Sequence, residues 1–174
     1  STTDRIVDPV REGFDCVLRV GQPEDSELVQ RKLGEIAVVH CASRRYLERR
    51  GVPRTLADLD GHLLVHYASA LSSATPELEY LEDGELRAHP MAASITVNGS
   101  DAYAAACQAG LGIVQVPRMG IREGLASGEL VAILPHLPCP PLPVFLLHTH
   151  GRRLPQRVRA VARWIADVIT PELE

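Results

Sequence analysis

SITVNGSDAYAAACQAGLGIVQVP, residues 94–117, is the stretch whose reading decides the fold class. Residues 93–97 are short and β-branched at Ile95, Thr96 and Val97, which suits a strand. Residues 101–109 are rich in alanine, the strongest helix former, and Gly110 ends them. Residues 111–116 are again apolar and read as a strand, closed by Pro117. Between the first strand and the helix lie Asn98, Gly99, Ser100 and Asp101. A helix presents unpaired amides in its first turn, so this junction suits a small polar or anionic group. Simple capping by Ser100 or Asp101 explains the same residues without a ligand. Asp101 itself repels an anion, which leaves Ser100 and the amides as the better donors.

Working outward, the same alternation repeats. Residues 2–13 read as a short helix capped at Thr3 or Asp4, with Ile6, Val7 and Val10 on one face and Gly13 at the end. Pro9 is awkward inside it, because an interior proline removes an amide and crowds the previous turn. Residues 14–20 read as a buried strand broken by Gly21, Gln22 and Pro23. Residues 28–43 form a long extended run interrupted at Gly34, and 36–41 are apolar enough to be covered on both faces. Ser43 starts a polar helix to Arg50, stopped by Gly51. Thr55 caps a second short helix, and a strand follows around 62–67. Residues 77–89 alternate polar and apolar about Asp83-Gly84, the signature of a two-residue hairpin.

After Pro117 a helix runs to about Ala126, then a strand at 130–134. A proline-rich connection leads to a strand at 144–148. The last helix begins near Pro155 and buries Val158, Val161, Trp164, Ile165 and Val168. The whole pattern predicts an α/β protein with largely parallel sheets.

Composition narrows the function. The chain has 174 residues, with 18 Lys and Arg against 22 Asp and Glu, and 45% hydrophobic residues. A pI near 6.0 argues against coating nucleic acid by charge alone. No apolar run approaches the roughly 20 residues of a membrane span, and no signal peptide is visible. Cys16, Cys41, Cys107 and Cys139 are widely spaced, without a CxxC pair, and read as core thiols of a reducing cytosol.

Signatures of catalysis are scarce. GxSxG, the P-loop, HExxH and GxGxxG are all missing, and Gly110-Leu111-Gly112 is too short to count. His136 with Cys139, and His148 with His150, are possible metal ligands without a visible second half. The reading therefore assigns no catalytic residue, no metal and no cofactor.

The order of segments nevertheless resembles a known family. TDRIVDPVREGFDCVLRVG (3–21) and LVQRKLGEIAVVHCASRRYLERRGVPRTLADLDGH (28–62) are similar to the effector-binding domain of LysR-type transcriptional regulators. VNGSDAYAAACQAGLGIVQVPRMGIREGLASGELVAIL (97–134) and PLPVFLLHTHGRRLPQRVRAVARWIADVI (141–169) continue the likeness in family order. The resemblance implies a fold like type II periplasmic binding proteins, two Rossmann-like lobes joined by two crossover strands. Those strands fall near 34–41 and 142–147. Lobe I is then 1–36 with 142–174, and incomplete, and lobe II is 37–141.

The resemblance also implies an effector cleft lined by Thr2, Thr3, Arg19 and Val20 from lobe I. Lobe II contributes Asn98, Gly99, Ser100 and Asp101, with Val116 and Pro117 nearby. These are strand ends of the kind that bind ligands in α/β sheets. The expected protein is a cytoplasmic, non-enzymatic sensor of a small-molecule effector, a homo-oligomer with no membrane contact. It would reach DNA only through an N-terminal helix-turn-helix missing from this chain, which looks truncated. A solute-binding protein of the same fold is the alternative, and a small Cys- or His-dependent enzyme a more distant one.

Overall fold

This computed structural model describes residues 8–23, 28–68, 75–148 and 155–173. They divide into a central unit, Val38–Pro140, and a terminal unit made of 8–37 with 141–173. Strands β1 (Cys16–Val20) and β2 (Val29–Ile36) open the terminal unit. The central unit follows with β3 (Val38–Ser43), α1 (Arg44–Arg50), β4 (Leu64–Tyr67), β5 (Glu77–Glu82), β6 (Glu85–Pro90) and β7 (Ala93–Val97). It continues with α2 (Ser100–Gln108), β8 (Val114–Pro117), α3 (Arg122–Ser127) and β9 (Leu130–Ala132). The chain then returns to the terminal unit for β10 (Leu142–His148) and α4 (Gln156–Ile169).

In the central unit, β3 pairs antiparallel with both β8 and β9, while β4 pairs parallel with β7. A parallel bridge between Leu64 and Ile113 joins β4 to the start of β8. Gly112 makes that approach possible: a Cβ there would lie 2.6 Å from the Leu63 carbonyl. Among the described residues, parallel pairing is confined to these contacts, so the expected largely parallel sheets are corrected to mostly antiparallel ones. Alternation and apolar content reveal that a strand is buried, but not which way its neighbour runs.

Neighbouring residues in β3, β4 and at the start of β8 serve opposite cores. Ala42, Leu64 and Ile113 join Tyr46, Leu59, Leu78 and Leu134 in one cluster. Cys41, Val65 and Val114 join Tyr103, Ala106, Cys107 and Leu130 in the other. Both faces of these strands are covered, which is why they read as unbroken apolar runs. The hairpin β5–β6 turns at Asp83 and Gly84 with φ of 53° and 82°, the left-handed pair a type I′ turn requires. The Gln115 side chain fastens it, donating to the Glu79 carbonyl at 2.7 Å and accepting the Glu79 N–H at 3.1 Å.

Local signals account for the helix ends. Ser43 takes the N-cap position of α1, and Gly51 ends it at φ 83°. The residues TLADLDG form a 3₁₀ turn over Ala57–Gly61. There Asp58 Oδ2 accepts the N–H groups of Arg54 and Thr55, and the Thr55 hydroxyl accepts that of Asp58. This is a reciprocal cap of the first turn.

In the terminal unit β10 is central, antiparallel to β1 on one side and β2 on the other. Val144 faces Gly34 and Phe145 faces Lys32, so Leu33 is an extra residue in β2. The interruption expected at Gly34 is thus a bulge, and the extended run breaks instead at Ala37. The strand expected at 14–20 is Cys16–Val20, and it is only half-buried, with Val20 49% exposed.

Two helices differ from expectation. The first part of the predicted helix 2–13 lies outside the described residues, and 8–13 form a turn. Asp8 starts it by accepting the N–H groups of Val10 and Arg11, and Gly13 closes it at φ 72°. Pro9 follows the capping Asp8, where its missing N–H is no loss. On α4 the buried face is Val158, Ala162 and Ala166, with Ile165 half-buried. Val161, Trp164 and Val168 are exposed, contrary to expectation. They form the adjoining stripe at helical spacing, and the small alanines are what turn inward.

Candidate functional site

The parallel contacts of β4 with β7 and β8 point three carboxyl ends the same way. In α/β sheets such ends are where ligands bind, because helix N-termini and loops converge there. Tyr67 and Ala68 finish β4, and Val97 lies opposite Tyr67. The Ala68 N–H donates to the Val97 carbonyl at 2.9 Å, carrying the ladder one residue further. Val116, which is buried, and Pro117 finish β8, where Pro117 pairs with Val38 of β3.

Asn98 and Gly99 turn the chain from β7 into α2. Gly99 is the N-cap, extended at φ −137° and ψ 141°, so the N-cap position itself carries no side chain. The N-cap position thus falls on Gly99 and not on Ser100 or Asp101, which lie in the first turn. The Gly99 carbonyl accepts the Tyr103 N–H at 3.0 Å and starts the helical ladder. Asn98, Ser100 and Asp101 are exposed, and Gly99 is half-buried. Asp101 places its carboxylate beside the amides and opposes an anion there.

Tyr103 locks this end of the helix to the sheet. It is buried, its hydroxyl accepts the Gln115 N–H at 2.9 Å, and burial raises its phenol above the ordinary range. Its ring meets that of Tyr67 edge to face, with centroids 5.4 Å apart. Tyr67 is 40% exposed, so one aromatic ring stands at the mouth formed by the strand ends. Sequence reasoning missed Tyr67. Its signal was only its place as the last polar-capable residue of the apolar run at 62–67.

The remaining predicted site residues belong to the other unit or lie outside the described residues. Arg19 and Val20 end β1 in the terminal unit, paired with Phe145 and Val144. Thr2 and Thr3 lie outside the described residues. Of the suggested metal ligands, His136 is in an exposed turn, His148 is buried in β10, and His150 lies outside the described residues. Among the described residues, no group of three or more His, Cys, Asp or Glu is placed to hold a metal ion. No described helix is long and apolar enough to cross a membrane.

Known proteins agree with this architecture. The sequence model of the LysR substrate binding domain matches residues 1–170. The chain is 36% identical, over its full length, to the HTH-type transcriptional regulator YhjC of Escherichia coli K12, covering 58% of that protein. It is 34% identical over 92% of its length to the HTH-type transcriptional activator AaeR of the same strain, covering 51% of it. The chain thus spans a little over half the length of these curated relatives. Among solved structures, the regulatory domain of AphB from Vibrio vulnificus superposes with a TM-score of 0.72 at 29% identity. That match covers 93% of this chain and 78% of the AphB domain.

Proposed function

Because the chain belongs to the LysR substrate binding domain family, we propose that it is the effector-sensing part of a LysR-type transcriptional regulator. Its fold is that of the regulatory domains of such regulators, the type II periplasmic-binding-protein fold. A small molecule binds it and favours one arrangement of a homo-oligomer, and DNA-binding segments of the longer protein turn that preference into altered transcription. The chain contacts no DNA or membrane itself, performs no catalysis, and works in the cytoplasm where its operator is.

The observation that carries the reading is the start of α2. Three parallel strand ends meet the N-terminus of a helix whose N-cap is a glycine, and the amides of a helix start suit a small polar or anionic group. Ser100 and the first-turn amides bind the polar group of the effector, and Asn98 adds a carboxamide. Gly99 lets the ligand approach the backbone, Val116 and Pro117 supply apolar contact, and Asp101 selects against a second anionic group.

A thermal-shift screen of small molecules on the full-length regulator tests this. A hit should raise the melting temperature of the wild type and bind the Ser100→Ala variant with about 1 kcal/mol less affinity, roughly fivefold. The same hit should alter the shift of the regulator's own promoter fragment. A hit whose affinity is indifferent to Ser100 and Asn98 would remove the site from the account.

A further inference from the structure

The hairpin β5–β6 is covered along one edge and bare along the other. On β5, the Gln115 side chain takes both backbone groups of Glu79, and the Leu81 N–H donates to the Pro138 carbonyl at 2.8 Å. Glu79 and Leu81 therefore turn their backbone groups away from β6. Opposite residues of an antiparallel pair either both face each other or both face away. Ala88 and Leu86, which lie opposite Glu79 and Leu81, thus turn theirs away from β5. Among the described residues no strand lies beyond β6, and no other backbone group bonds to Leu86 or Ala88. Both are exposed, Leu86 at 58%. Such an edge is a template for pairing with another chain.

The residues of β6 decide which chain fits. Identical copies close most simply about a two-fold axis, which in an antiparallel pair sets one residue opposite itself. Centred on Arg87, that axis would bring two guanidinium groups together. Centred on Ala88, it would set Arg87 against His89, and Leu86 against Pro90, which has no N–H to give. Centred on Leu86, it sets Glu85 of each copy against Arg87 of the other, a favourable pair made twice. The two Leu86 residues then exchange N–H···O bonds at the middle. Glu85 and Arg87 already meet within one copy at 2.9 Å, and both side chains are more than half exposed, so they are free to exchange partners across the axis. Leu81 lies opposite Leu86 in the hairpin, so this register also sets the leucines of both copies in one row on one face.

We propose that β6 is a contact surface for a second copy of this chain, paired antiparallel about Leu86 into a continuous sheet β5–β6–β6–β5. One short strand a side makes a small contact, which matters most where other contacts already hold copies of the longer protein together. The proposal is independent of any effector.

Backbone amide exchange of this chain over a concentration series tests it. The Leu86 N–H should exchange several-fold more slowly as concentration rises. The Glu79 N–H, held by Gln115 at 3.1 Å, should be protected throughout and reports an intact hairpin. Glu85→Arg or Arg87→Glu alone should abolish the concentration dependence at Leu86, and the two together should restore it. If a reversal costs Glu79 its protection, Glu85→Gln removes the attraction without reversing a charge, and should weaken the dependence with the hairpin intact. A Leu86 amide that exchanges at one fast rate at every concentration would overturn the proposal. So would a dependence indifferent to these substitutions, or a double reversal that keeps the hairpin but does not restore it.

Discussion

The Tyr103 hydroxyl accepts the backbone N–H of Gln115 at 2.9 Å, while the Tyr103 backbone N–H donates to the Gly99 carbonyl at 3.0 Å. One residue thereby takes part in the first rung of α2 and ties the helix to β8. Removing the hydroxyl leaves a part-buried amide without this partner. Tyr103→Phe should lower stability by about 1 to 2 kcal/mol in urea unfolding, with an unchanged m-value. An unchanged midpoint would mean that the hydroxyl is not what anchors the helix.

A second prediction concerns acid. His40 is 3% exposed, and its Nε2 hydrogen-bonds the Leu137 carbonyl at 2.8 Å. Burial lowers its pKa below the ordinary 6.5, outweighing the carbonyl, which raises it. His62, hydrogen-bonded to the Tyr46 hydroxyl at 3.2 Å, shifts the same way, mainly through burial. The folded chain therefore binds fewer protons than the unfolded chain between the lowered pKa and 6.5. Stability is complete above pH 6.5 and falls as pH drops through 6.5 toward the folded value. Unfolding at about pH 7.5 and about pH 5.5 should show a smaller acid loss in His40→Gln than in the wild type. Equal losses would place the acid sensitivity elsewhere.

The face of α4 gives a third. Ala162 is buried and Trp164 is 64% exposed, although composition alone favours the opposite. Trp164→Ser should change the stability of the chain by less than about 0.5 kcal/mol. Ala162→Leu should overpack the helix and lower stability by about 1 to 3 kcal/mol. The reverse order would restore the face expected from the large apolar residues.

That helix shows where sequence reading stopped. The period of α4 was visible, but its phase was not, because two adjacent stripes both held apolar residues and the alanines looked neutral. The hairpin was legible in full because Asp83-Gly84 names its turn as well as its place. The junction at 98–101 was legible as a strand-to-helix transition. The sequence could not say that Gly99 would be the cap, since Ser100 and Asp101 are equally good capping types. Strand direction was hidden, because a strand covered on both faces reads the same whichever way its neighbour runs. Tyr67 was hidden for a different reason: only the parallel register with Val97 brings its ring to the site.

The central claim is that a small effector binds at the start of α2. Backbone amide exchange on the full-length regulator, with and without a saturating thermal-shift hit, tests it most directly. The account predicts slower exchange at Gly99, Ser100, Asp101 and Ala102 when the ligand is bound, with loss of that protection in Ser100→Ala. A bound ligand that leaves these four amides unchanged and protects another part of the chain would contradict it.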